Sequence, residues 1–229
     1  MFQSIRTGGT LMHTVFLSIV YALLCLVHLA ACLMRHNAVR GITKPFLMPV
    51  LAFLYLSFDK TPQLLVFFAL ILGSAGDLFL LFTEKPGCMK AGMTAFALGH
   101  ICYIAAFFKD INAVDPFVLA AAAVSYGIMV FILYRHFGKF LPRAMLIPAT
   151  AYLLILSAMS VSALLHFASA PSLNGLSAVS GSWLFIFSDT LLTSFLFKPG
   201  TKQNNFSVML TYIFAQTFLA AGFAQAFAR

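Results

Sequence analysis

Eight stretches of this chain, at approximately 11–34, 44–58, 63–82, 91–108, 116–134, 144–167, 173–197 and 206–228, run on with almost no charge, and only short polar connections such as Lys198-Pro199-Gly200 separate them. A helix needs about 20 mostly apolar residues to cross the hydrocarbon core of a bilayer. In lipid every backbone polar group has to be satisfied within the protein, which leaves helices and closed barrels, and most of these runs are about twice the length of a barrel strand. The expectation is therefore an all-α, polytopic transmembrane helical bundle of about eight spans. Composition excludes the alternative of a soluble globule. Of the 229 residues 62% are hydrophobic and 9% charged, against roughly 25% charged in soluble domains. No connection is long enough to hold a further domain, so residues 1–229 read as a single transmembrane domain. The second run is the weakest: between Pro45 and Phe58 there are too few residues to cover ~30 Å at about 1.5 Å each, so it should tilt little, thin the bilayer or begin in the interface.

The charges report orientation. Arg35, Arg40, Lys44, Lys85, Lys90, Arg135, Lys139, Arg143, Lys198 and Lys202 fall on alternate connections, while the other side carries only Arg6, Lys60, Lys109 and Arg229. The richer side is expected to be cytoplasmic, with both termini on the non-cytoplasmic side. The net charge of +8 is spread singly among apolar runs and forms no patch of the kind that binds nucleic acid. Leu29-Ala30-Ala31-Cys32 resembles a lipoprotein cleavage box, but the preceding run is long for a signal peptide and its positive charge follows rather than precedes it. Cys25, Cys32, Cys88 and Cys102 lack C-x-x-C spacing and read as packing residues, and the six histidines form no H-x-x-x-H pair, so neither a metal nor a cofactor is expected.

Two acidic residues stand out. Asp59, Glu84, Asp110 and Asp115 fall in connections, where a solvated charge is ordinary, whereas Asp77 and Asp189 lie inside apolar runs. A central Asp costs about 2.5–3.5 kcal/mol to insert, so each is expected to face the bundle interior or a wet cavity. Both sit roughly 6–7 Å to the cytoplasmic side of the bilayer centre, in the third and seventh spans, which run in the same direction. Their separation of about half the chain suggests two parallel four-helix halves. Gly73 and Ser74 share a face with Asp77, and Ser182 and Thr193 share one with Asp189. The fourth span brings His100 and Tyr103 to one face and the eighth brings Tyr212 and Gln216 to another, all near the centre. Either polar pair could equally be glue between helices. Lys44, at the cytoplasmic border, could bind a lipid phosphate or serve as a snorkelling anchor among membrane lipids.

The same residues carry a resemblance. Lys44-Pro45-Phe46-Leu47-Met48-Pro49, Gly76-Asp77, Gly99-His100-Ile101-Cys102-Tyr103, Phe187-Ser188-Asp189 and Tyr212-Ile213-Phe214-Ala215-Gln216 follow in order the motifs of the YhhN-like lysoplasmalogenase family of multi-pass membrane proteins. The resemblance implies a lysophospholipid substrate whose vinyl ether bond is hydrolysed to a fatty aldehyde and glycerophosphoethanolamine or glycerophosphocholine. Asp77 and Asp189 would be the catalytic groups, and Lys44, His100, Tyr103, Ser188, Tyr212 and Gln216 would bind substrate or water. The expected setting is the cytoplasmic (inner) membrane of a bacterium.

Carboxyl chemistry suits that reaction. Protonation of the vinyl ether β-carbon creates an oxocarbenium ion that water captures as a hemiacetal, and the hemiacetal collapses to aldehyde and alcohol. Glycosidases meet a similar cation with two carboxyl groups, one protonated to donate and one ionised to stabilise. Two other readings stay open on the residues alone. Paired intramembrane carboxylates also describe a proton-coupled small-molecule transporter, and a lipid-binding protein could hold its ligand without converting it. The sequence leaves open which Asp donates, the head-group preference and the oligomeric state.

Overall fold

In the computed structural model, residues 2–58, 61–85, 87–111, 113–201 and 204–224 are described, with side chains from residue 11 onward. Asp59, Lys60, Lys202 and Arg229, the side chain of Arg6, and residues 225–228 expected to finish the last span lie outside them. The elements in order are α1 (Phe2–Leu33), α2 (Asn37–Phe58), α3 (Leu64–Phe79) with a 3-10 turn at Leu80–Phe82, α4 (Cys88–Phe108), α5 (Pro116–Phe137), α6 (Arg143–Ser169), α7 (Leu173–Phe197) and α8 (Asn205–Phe223). Each of the eight is long and apolar enough to cross a membrane. The chain is an integral multi-pass membrane protein, and among the described residues it is all-helical.

Local chemistry sets several boundaries. Asp115 caps α5 by accepting from the Phe117 amide at 2.7 Å, with Pro116 next in line, so this loop carboxylate serves a helix N-terminus. Ser172 caps α7 through the Gly175 amide at 3.0 Å, and Asn204 caps α8 through the Ser207 amide at 3.3 Å. Gly87 enters α4 at φ 88°, a left-handed conformation open to glycine without steric cost.

The second span departs from expectation. Charges and Pro45 suggested a start near residue 44, yet α2 begins at Asn37 and runs for 22 residues, which at about 1.5 Å each is long enough to span without thinning the bilayer. The helix passes through both Pro45 and Pro49. Pro49 has no N–H to give to the carbonyl of Pro45 four residues earlier, and the Ser74 hydroxyl of α3 donates to that carbonyl instead, at 2.7 Å. A neighbouring helix thus repairs the break that the sequence alone implies.

Hairpin neighbours pack most closely, α3 with α4 and α7 with α8. The pairings recur in the two halves: α2 on α3 and α6 on α7, then α4 on α6 and α8 on α2. Small residues form the seams. A Cβ at Gly99 would stand 3.0 Å from the Ala69 carbonyl, and one at Gly181 would stand 2.7 Å from both the Ala215 carbonyl oxygen and the Leu219 amide nitrogen. Such close backbone approach is how helices associate where lipid removes the hydrophobic drive. Across α5, α6 and α7 a hydroxyl chain joins Tyr126 to Ser160 and Ser160 to Ser182, each step 2.7 Å.

Gly181→Ala sets two effects against each other. Helix propensity gains about 1 kcal/mol, while overpacking against a backbone that cannot step aside costs about 1–3 kcal/mol. The packing term wins, and the variant is expected to unfold at lower temperature in detergent; an unchanged or raised midpoint would show that the α7–α8 seam is looser than described.

Candidate active site

Asp77 lies on α3 and Asp189 on α7, each about four residues past the centre of its helix, or ~6 Å at 1.5 Å per residue. Tyr152 lies about as far before the centre of α6, and since α6 runs the other way these three come to one level. Lys44 on α2 and Tyr212 on α8 reach the same layer. All five line one cavity of about 1890 Å³. Its mouth takes residues from every connection at one end of the bundle, Arg35 and Asn37 before and at the start of α2, Thr83 and Glu84 before α4, Gly138 before α6 and Asn204 before α8. Met89, Met93, Leu133, Phe137 and Met145 add an apolar wall from α4, α5 and α6.

The two carboxyl groups have unequal surroundings. Asp77 is 2% exposed and both its oxygens are occupied: Lys44 Nζ stands 3.2 Å from Oδ1, and the Tyr212 hydroxyl donates to Oδ2 at 2.8 Å. Gly73 makes room for this, since a Cβ there would sit 3.5 Å from the Tyr212 hydroxyl and 3.2 Å from Gln216 Nε2. Asp189 is half-buried, has no cation beside it among the described residues, and accepts from the Tyr152 hydroxyl at Oδ2. Phe96, Phe185 and Tyr212 meet edge-to-face at 5.6–6.1 Å between ring centres and brace this side of the wall.

The remaining sequence-predicted residues divide. Ser188 lines the cavity, but its hydroxyl donates to the Val208 carbonyl of α8 at 3.0 Å. Tyr103 donates to Gln216 Oε1 at 2.9 Å in a buried α4–α8 link below the carboxyl layer. His100 stands behind Tyr152, with its Nε2 3.3 Å from the tyrosine oxygen and its ring edge-to-face on Phe185 at 4.6 Å. Lys44, expected at the interface, turns inward to Asp77. Of the face-sharing residues, Ser74 is spent on Pro45, Ser182 on the hydroxyl chain, and Thr193 lines the cavity. Tyr152 escaped the sequence reading because the sixth span also carries Thr150, Ser157, Ser160, Ser162 and His166; its depth, matched to that of the Asp pair, was the available signal. Among the described residues no cluster of three His, Cys, Asp or Glu side chains could hold a metal, and the four cysteines are free.

A helical membrane bundle with two carboxyl groups of different environment lining one cavity defines the class: a polytopic membrane protein with an intramembrane acid pair. The chain belongs to the YhhN family, whose sequence profile matches residues 39–223. It is 30% identical over 161 residues to proteins named lysoplasmalogenase from Mycobacterium tuberculosis and Mycobacterium bovis, a match covering 68% of this chain and 58% of theirs. It is also 30% identical over 151 residues to the human lysoplasmalogenase TMEM86B, covering 66% of this chain and 59% of that one. The chain thus spans less than two thirds of the length of these relatives. No solved structure matches it significantly.

The Lys44–Asp77 pair is open to a direct check. Removing one partner of a buried ion pair leaves an unpaired charge and costs about 3–5 kcal/mol, whereas replacing both costs far less. Lys44→Met should therefore lower the unfolding temperature sharply, and Lys44→Met with Asp77→Asn should recover most of the loss. Equal instability of the single and double variants would rule out the pairing.

Proposed function

We propose that this protein is a lysoplasmalogenase-like hydrolase that cleaves the vinyl ether bond of a lysophospholipid to a fatty aldehyde and a glycerophosphodiester. The observation that carries the reading is the inequality of Asp77 and Asp189, which line one cavity. The names of the curated relatives support it. One ammonium faces two carboxyls, and in a medium that penalises unpaired charge the balance is met when Asp77 is ionised and Asp189 keeps its proton. Asp189 is then the general acid. Its O–H bond breaks as a C–H bond forms at the β-carbon of the vinyl ether. Asp77, held by Lys44 and Tyr212, offers fixed negative charge to the oxocarbenium ion. Water adds to the cation and returns a proton to Asp189, and the hemiacetal collapses to aldehyde and alcohol.

The cavity suits a single-chain amphiphile. The apolar wall of α4, α5 and α6 takes the tail, and the basic mouth with Arg35 and Arg40 faces a phosphate-bearing head group. The whole chain acts as one transmembrane domain in the cytoplasmic membrane of a bacterium. The end bearing the mouth faces the cytoplasm, because the connections there carry most of the Lys and Arg, and the termini lie on the other side.

The test is aldehyde release from a lysoplasmalogen by detergent-solubilised protein with no ion gradient, and a saturated ether lysolipid as control. General acid catalysis is worth about 10²–10⁴-fold, so Asp77→Asn and Asp189→Asn should each lose nearly all turnover while still inserting. Retention of more than about a tenth of the activity by either would overturn the assignment. A folded wild type that releases no aldehyde from any head-group variant would give way to proton-coupled transport by the same pair.

A further inference from the structure

Tyr152 stands on the cavity wall with its hydroxyl between groups from two other helices, Asp189 Oδ2 of α7 and His100 Nε2 of α4. A tyrosine has one hydroxyl proton. Given to Asp189, it leaves only the oxygen lone pair to meet His100, so the imidazole carries its proton on Nε2 and donates. Nδ1 is then a bare acceptor, and that nitrogen is buried without a hydrogen-bond partner. His100 is 1% exposed and packed edge-to-face with Phe185. A buried orphan nitrogen is a cost to stability, one that a Leu or Met filling the same volume would not incur. Packing therefore does not account for a histidine here. Its bond to Tyr152 does.

The arrangement makes the two oxygens of Asp189 unequal. Oδ2 accepts from Tyr152, and Oδ1 meets no donor among the described residues. A carboxyl with one oxygen engaged as an acceptor carries its proton on the other. We propose that Tyr152 is a positioning residue that keeps the proton of Asp189 on Oδ1, the oxygen left for the cavity, and that His100 acts through Tyr152 by donating to its oxygen. This rests on Asp189 being the proton donor. Donation from Nε2–H polarises the tyrosine hydroxyl and strengthens its bond to Asp189. After the proton has moved to the substrate carbon, that same bond stabilises the carboxylate with no heavy atom displaced. Tyr152 keeps its own proton throughout, and the proton Asp189 regains comes from the captured water.

The experiment measures kcat and KM for aldehyde release from a 1-alkenyl lysophosphoethanolamine, with thermal unfolding recorded for each variant. Tyr152→Phe keeps the ring and loses the hydroxyl; misplacement of an acid typically costs up to about 10²-fold, and kcat should fall by at least about tenfold with KM changed less than about threefold. His100→Leu should fall similarly, and His100→Gln, whose Nε2 can donate from nearly the same place, should regain most of the loss. His100→Leu with Tyr152→Phe should be no slower than Tyr152→Phe alone, because groups acting in series are not additive. If Asp189→Asn is inactive and Tyr152→Phe retains wild-type kcat, the positioning role is overturned and the two-carboxylate reading stands. If Asp189→Asn is active, it is that reading which fails. Should Tyr152→Phe not fold, the two His100 variants decide, and equal activity in both overturns the role.

Discussion

One ammonium group set against two carboxyls is the constraint around which this bundle is arranged. In hydrocarbon an unpaired charge is costly, so the folded bundle is stabilised by setting Lys44 against Asp77. Making it requires Lys44 to lie well inside α2, which in turn requires that helix to begin at Asn37 and to run through two prolines. The second proline frees a carbonyl, and Ser74, one turn before Asp77 on α3, is placed to receive it. Ion pair and hydroxyl bond therefore clamp the same two helices over a few residues. Asp189 has a tyrosine as its partner instead of a cation, and on the proposed chemistry it is the group that exchanges a proton.

Space for these side chains comes from residues that have none. Gly73 lets Tyr212 reach Asp77, and Gly76 lets the Phe96 ring lie where a Cβ would come within 2.6 Å of it. The rings of Phe96, Phe185 and Tyr212 then hold one another edge-to-face beside the carboxyl layer. Deeper in the bundle Phe107 stacks on Phe223 at 4.5 Å, and the Tyr103–Gln216 bond joins α4 to α8. Packing and polar bonds together close the bundle below the cavity while its other end stays open.

Much of this was legible in the residues. Span number followed from run length, and the two aspartates stood out because a lone acid in an apolar helix has so few tolerable environments. What escaped the sequence were relations between helices. Cutting spans at charges misplaced the start of α2, because a lysine and a proline look like a boundary until their partners on α3 are known. Tyr152 carried no sign beyond its depth. His100 and Gln216 were read as facing a pocket; helical spacing gives the face a residue occupies but not the neighbour that face meets, and both lie behind the cavity wall. Lys44 was legible as a charge, and its direction was not.

A bundle hollowed from one end treats the two leaflets of its membrane unequally. The carboxyl layer lies ~6 Å from the centre, so an amphiphile can set its bond there with its head in the mouth only when it arrives from the leaflet on that side. Lipid in the opposite leaflet is out of reach until it flips. On the proposed chemistry the products also part company: the aldehyde keeps the chain and stays dissolved in that leaflet, while the polar fragment leaves to the adjoining water. The depth of one cavity would thus decide which half of the bilayer is surveyed, and on which side of the membrane the soluble product appears.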